Sequence, residues 1–171
     1  MKSQAAKSLR LTGYFPGAIG KITELHAVYY NKHWGFDITF ETQVARELSL
    51  FMTNFQIDRD GFWVALSQGC FAGAIAIDGS MAATEGARLR WFIVEPGLQG
   101  YGIGRELIRT AVEFCRGTGH TRIFLWTFRG LDSARRLYEQ AGFGITEESE
   151  IDQWGTRIVE QKFELIIDTI R

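Results

Sequence analysis

The chain has 171 residues, 46% hydrophobic and 23% charged, the balance of a folded domain and not of a disordered segment. Its formal charge of −1 excludes the strongly basic balance of a general nucleic-acid binder. The length fits a single domain, residues 1–171, better than two.

The first ten residues carry Lys2, Lys7 and Arg10 but no apolar stretch, so no secretory leader is expected there. Ile22, Leu25, His26, Tyr29, Tyr30 and His33 recur on one face of a helix, and Phe40, Val44, Leu48, Phe51, Met52 and Phe55 mark a second. The longest uncharged run lies between Asp60 and Asp78. Ser67-Gln68-Gly69 breaks it, which predicts a hairpin of strands over 62–66 and 71–77 and not a membrane span. A third strand, 89–94, stops before Pro96, whose ring has no N–H to continue a ladder. Ile103, Leu107, Ile108, Ala111, Val112 and Cys115 give a third helix, and 123–128 a buried strand. A short fourth helix carries Ala134, Leu137, Tyr138 and Ala141, with Asp132 or Ser133 as its N-cap and Gly142 at its end. The tail returns to strand, with Val159, Gln161, Phe163, Leu165 and Ile167 on one face and Glu160, Lys162 and Glu164 on the other. Helices interleaved with strands in this order predict an α/β fold on a mixed sheet. Cys70 and Cys115 form no C-x-x-C pair, so neither a zinc site nor a disulfide framework follows, and both are expected to be buried small hydrophobes. A soluble, cytoplasmic protein without membrane or nucleic-acid partners is the expectation.

Between the third strand and the third helix runs Gln99-Gly100-Tyr101-Gly102-Ile103-Gly104-Arg105. Glycine lets a backbone approach a ligand closely, and a helix N-terminus presents unpaired N–H groups that suit phosphate oxygens. A dinucleotide fingerprint needs G-x-G-x-x-G and an acid on the next strand; the spacing here is G-x-G-x-G and 123–128 holds no acid. A nucleotide-hydrolase phosphate loop needs G-K-[ST], where this chain has Gly104-Arg105-Glu106. Positions 99–136 hold seven arginines against three acids, which suits a phosphorylated ligand and solvated helix faces alike.

The residues at this point resemble the GNAT acetyltransferase superfamily. Its Q/R-x-x-G-x-G/A signature is matched by Gln99, Gly102 and Gly104, five residues after Val94, and its short helix with Leu-Tyr and then Gly-Phe by Leu137, Tyr138, Gly142 and Phe143. Pro16-Gly17, His26, Tyr30, Gly35-Phe36, Phe40-Glu41 and Trp126-Thr127 look like the acetyltransferase module found fused to MarR-type regulators, although 171 residues leave no room for the helix-turn-helix half. Two slots depart from the pattern. Leu131 and Phe128 stand where relatives carry asparagine.

The resemblance implies a mixed, mostly antiparallel twisted sheet flanked by about four helices, and transfer of an acetyl group from acetyl-CoA to an amine, without a metal. Gln99, Gly100, Gly102, Gly104 and Arg105 would cradle the pyrophosphate, so a branched side chain at Gly104 should obstruct it. Backbone near Phe92 and Val94 would hold the pantetheine arm and polarise the thioester carbonyl. Tyr138 would protonate the departing thiolate, and Glu41 would be the substrate-side carboxylate. His26 reads as a core or pocket-wall histidine, and Tyr29 and Tyr30 as residues of either the acceptor pocket or the helix packing. The acceptor is an unspecified small-molecule or peptide amine, and a homodimer stays open. An acyl-CoA-binding sensor with little turnover is the competing function.

Overall fold

The computed structural model describes residues 8–168; the basic start of the chain, Lys2 and Lys7 included, lies outside them. The elements are β1 (Leu9–Thr12), α1 (Ala18–Trp34), α2 (Ile38–Thr53), β2 (Gly61–Ser67), β3 (Cys70–Asp78), β4 (Ala87–Val94), α3 (Ile103–Thr118), β5 (Arg122–Phe128), α4 (Asp132–Gln140), β6 (Gly144–Gln153) and β7 (Thr156–Ile166). The strands form one seven-stranded sheet in the order β1-β2-β3-β4-β5-β7-β6. Every neighbouring pair is antiparallel except β4–β5.

Side chains alternate across a strand, and β3 shows which helices take which face. Ala74 and Ala76 pack with Ile22 of α1 and with Leu48 and Phe51 of α2. Ile75 and Ile77 pack instead with Leu107, Ile108, Ala111 and Cys115 of α3, and with Tyr138 of α4. The sheet is therefore a middle layer, with α1 and α2 on one face and α3 and α4 on the other. The tight β2–β3 turn uses Gln68 at φ 51 and Gly69 at φ 79, the pair of positive angles that matches the twist of a two-residue hairpin.

Four details differ from the sequence expectation. β1 is an additional strand, pairing with β2 from Leu9↔Ser67 to Thr12↔Val64. Only Cys115 is buried; Cys70 opens β3 beside the turn and is exposed. The N-cap position of α4 is Leu131, with no side-chain cap, because Asp132 already lies in the first turn. β7 is covered on both faces: Gln161 and Phe163 are buried on one, while Ile158 is buried on the other among Phe36, Phe40, Val44 and Phe128. Glu160, on the same face as Ile158, consequently lines a protein cleft and is only partly exposed.

β4 and β5 pair only at Ala87↔Ile123 and Arg88↔Phe124 and then part. A bulge in β4 drives the separation. Ala74 pairs with Ile93 and Ala76 with Arg90, so Ile75 faces two residues, Trp91 and Phe92. Trp91 sits at φ 48, uncommon for a bulky residue, and is held by its ring contact with Phe51 at 5.4 Å and by the Arg90 guanidinium 4.1 Å over its ring.

Candidate active site

The parting strands open a cleft of about 340 Å³ lined by β4 from Arg88 to Phe92 and by β5 from Leu125 to Phe128. One wall comes from His26 and Tyr30 of α1 and from Phe40, Gln43, Val44 and Glu47 of α2; Tyr138 and Ala134 of α4 supply another. From Leu89 to Val94, β4 bonds to β3 along one edge and has no strand partner along the edge facing β5. Backbone groups there lack the ladder bonds that buried amides require, so an extended ligand could take them.

At the far end of β4 the chain turns through Pro96–Leu98 and enters α3. Gln99 is exposed, and its side-chain amide donates to the Val94 carbonyl at 3.4 Å, bracing the turn. Gly100 and Gly102 sit at φ +83 and +85, angles that L side chains rarely adopt, with open space where a Cβ would point. Gly102 is the N-cap of α3 and offers no side-chain cap. By contrast, α2 is capped by the Asp37 carboxylate, which accepts from the Thr39 N–H at 2.9 Å. The first turn of α3 thus keeps its N–H groups and positive dipole end for a ligand, with the exposed Arg105 beside them.

Gly104 requires a correction. A Cβ at 104 would lie 2.8 Å from Leu137 Cδ1 and 3.2 Å from Phe92 Cζ. The glycine is needed so that α3 can sit close on β4 and α4; its missing side chain faces the interior, not the loop mouth.

The Tyr138 ring is buried, with Phe92 at 5.8 Å and Phe143 and Phe163 at 6.1 Å. It borders the cleft, and burial, then Tyr30, pushes its phenol well above the ordinary tyrosine value. The hydroxyl is therefore protonated throughout the neutral range and can act only as a donor of its proton or as an acceptor.

His26 is the wall histidine expected of it. Its Nδ1 donates to the Ile22 carbonyl at 2.8 Å, its ring stacks 6.0 Å from Tyr30, and burial lowers its pKa to about 4. It is a neutral group with Nε2 left as an acceptor. Tyr30 also lines the cleft, whereas Tyr29 packs against Tyr30 and His33 outside it.

Glu41 is the second correction. It is exposed and borders an outer groove between α1 and α2, beside Glu24, Val28 and Ile38. The helical phase carries Gln43, Val44 and Glu47 to the cleft and leaves Glu41 pointing elsewhere. Glu41→Gln is expected to change the Michaelis constants of an amine acceptor and of acetyl-CoA by less than about two-fold, the usual scale of an uncoupled surface change. A selective rise for a cationic acceptor in initial-rate assays would return Glu41 to the site.

Sequence reasoning missed a bracing chain and two charged residues. The Trp154 indole donates to Gln43 at 2.8 Å, Gln43 donates to Glu47 at 3.2 Å, and Glu47 pairs with Arg90, which also reaches Asp78 at 3.5 Å. That chain ties the β6–β7 turn, α2, the β4 bulge and β3 into one wall. Arg88 and Glu160 line the same cleft without joining it. Of the seven arginines, Arg109, Arg129 and Arg135 are held by Glu106 and Glu113, Glu148, and Glu139 respectively. Arg105 and Arg116 border a groove between α3 and α4. Among the described residues no group of His, Cys, Asp and Glu is arranged to hold a metal, and no helix is long and apolar enough to cross a membrane.

The chain is similar to several known acetyltransferases. An uncharacterized N-acetyltransferase of Methanocaldococcus jannaschii is 28% identical over 138 residues, covering 78% of this chain and 60% of that protein. N-acetyltransferase 8 of Rattus norvegicus is 34% identical over 95 residues, 54% of this chain and 43% of that protein. The chain thus spans less than two thirds of the length of either relative. A Salmonella typhimurium structure described as an acetyltransferase with its cofactor acetyl-CoA has a TM-score of 0.71 at 16% identity, over 94% of this chain and 95% of that one, and shares the fold. Residues 21–143 match the model of the Acetyltransferase (GNAT) family, which is most of the chain, and the protein belongs to that family.

Proposed function

We propose that the protein is an N-acetyltransferase that moves an acetyl group from acetyl-CoA directly to an amine. The observation that carries this reading is the open inner edge of β4, which leads from the cleft beside Tyr138 to the uncapped N-terminus of α3. Acetyl-CoA, when bound, supplies a thioester whose C–S bond is exchanged for an acetyl C–N bond. Backbone N–H groups over Gly102–Arg105 hold the pyrophosphate, with Gly100 keeping the approach open and the Arg105 guanidinium adding charge. The free edge of β4 at Phe92 and Val94 takes the pantetheine arm as it would take another strand, and a β4 N–H polarises the thioester carbonyl. The Tyr138 hydroxyl gives its proton to the leaving sulfur and regains one from solvent. The acceptor attacks as the neutral amine, after its ammonium form has lost a proton to solvent, and releases a second proton to solvent as its bond to carbon forms.

The closer relation to modules fused to MarR-type regulators is supported by the quoted upstream residues, of which His26, Tyr30, Phe40 and Trp126 border the cleft. A single domain working in the cytoplasm on a small or peptide amine, as monomer or homodimer, without nucleic-acid or membrane partners, completes the proposal. One observation favours the sensor alternative: Leu131, in the slot where the family pattern has asparagine, leaves the N-terminus of α4 without a side-chain cap.

Saturating acetyl-CoA should raise the melting temperature by roughly 5–10 °C, since about 100-fold excess over Kd is worth ~2.7 kcal/mol and each kcal/mol shifts a domain of this size by ~2–4 °C. Thiol release with a panel of amines then separates enzyme from sensor. Stabilisation by NAD and none by acetyl-CoA would overturn the reading.

A further inference from the structure

Four charged side chains line the cleft: Glu47, Arg88, Arg90 and Glu160. Two of them satisfy each other. Arg90 pairs with Glu47 and Asp78, and Glu47 also accepts from Gln43. The other two are left over: among the described residues, neither Arg88 nor Glu160 takes part in an ion pair. Arg88 stands where β4 and β5 last pair, at the closed end of the cleft, and Glu160 pairs across to Phe128, four residues further along β5.

Both groups are partly withdrawn from water. Burial, then the like charge of Arg90, presses the Arg88 guanidinium below its usual value, and burial pushes the Glu160 carboxyl up while Arg88 pulls it back. The two feel one another's field without touching. Arginine remains charged in proteins, and a partly buried charge without a partner costs stability until a ligand brings the opposite charge.

We infer that the acceptor is a zwitterion, an amine that also carries a carboxylate, with Arg88 binding the carboxylate and Glu160 facing the ammonium group. The inference rests on the acetyl-transfer reading. A guanidinium fork matches a carboxylate in two parallel hydrogen bonds. One cation and one anion balance a zwitterion, whereas a phosphate dianion would meet the Glu160 carboxylate as repulsion. Tyr30, Trp126 and Phe128 leave apolar wall for the rest of the acceptor.

The test compares the free amino acids with their α-carboxamides, by thiol release and by calorimetric binding in the presence of CoA. The wild type should favour the free acids roughly 10–100-fold, the worth of a hydrogen-bonded charge contact. Arg88→Gln should erase that preference while still binding acetyl-CoA, which also reports its folding, and Arg88→Lys should keep part of it. Glu160→Gln should weaken acids and amides alike. Equal use of acids and amides by an active wild type would overturn the inference and leave acetyl transfer standing. Absence of turnover with every amine would count against acetyl transfer and with it against any acceptor, whereas equal or absent calorimetric binding of acids and amides by an active enzyme overturns the inference alone.

Discussion

Tyr138→Phe is expected to slow turnover roughly 10–100-fold while leaving acetyl-CoA affinity within about two-fold, because general-acid help is worth about 10²–10⁴-fold and a thiol is already a fair leaving group near ~8.5. Phenylalanine preserves the ring packing against Phe92, Phe143 and Phe163 and removes only the hydroxyl. The sign with pH follows from burial. The phenol's pKa is raised, so the wild-type donor keeps its proton through the neutral and mildly alkaline range and its contribution does not titrate away there. In the variant the proton must come from solvent, so the deficit should narrow as pH falls. Single-turnover rates isolate chemistry from product release. A wild-type rate in the folded variant, at any pH, would make Tyr138 a packing residue alone.

Gly104→Val is expected to lower the stability of the ligand-free protein by about 1–3 kcal/mol, the range of overpacked cores, and hence its melting temperature by roughly 2–12 °C. The added carbons meet Leu137, which can yield, and Phe92, which is wedged against Tyr138. Displacing Phe92 also disturbs the β4 edge, so acetyl-CoA affinity should fall as a secondary effect. A steric block at the pyrophosphate makes the opposite forecast: unchanged melting without ligand and lost affinity. Melting curves of the ligand-free variant decide between them.

Local pattern made much of this architecture legible. The helices over Ile22–His33 and Ile103–Cys115 and the strands of the hairpin stand where periodicity puts them, since one apolar face or a period of two survives in each. The glycine loop and Tyr138 were legible as motifs. The misses share a different cause. β1 has four residues, too few for alternation to register, and exists because β2 offers it an edge. Glu41 and Glu47 lie on one helix, but Glu47 follows Phe40 by seven residues, about two full turns, and Glu41 by only one, about 100° away. The parting of β4 from β5 follows from a one-residue bulge opposite Ile75, a matter of register between distant segments. Arg88 and Glu160 become site residues only through that parting, and on their own strands they read as ordinary polar positions.

β6 forms one margin of the sheet, and along it Glu147, Glu148, Glu150 and Asp152 are exposed. An unpaired margin is a template onto which a second copy can add a strand, the route to open-ended fibrous assembly. Three of these carboxylates are already held, Glu147 by Lys162, Glu148 by Arg129 and Asp152 by Arg157, so a strand arriving at this margin would have to desolvate a row of charges and ion pairs. The safeguard is chemical rather than steric. It would weaken on acidification, as the carboxylates take up protons and the ion pairs along the margin are lost.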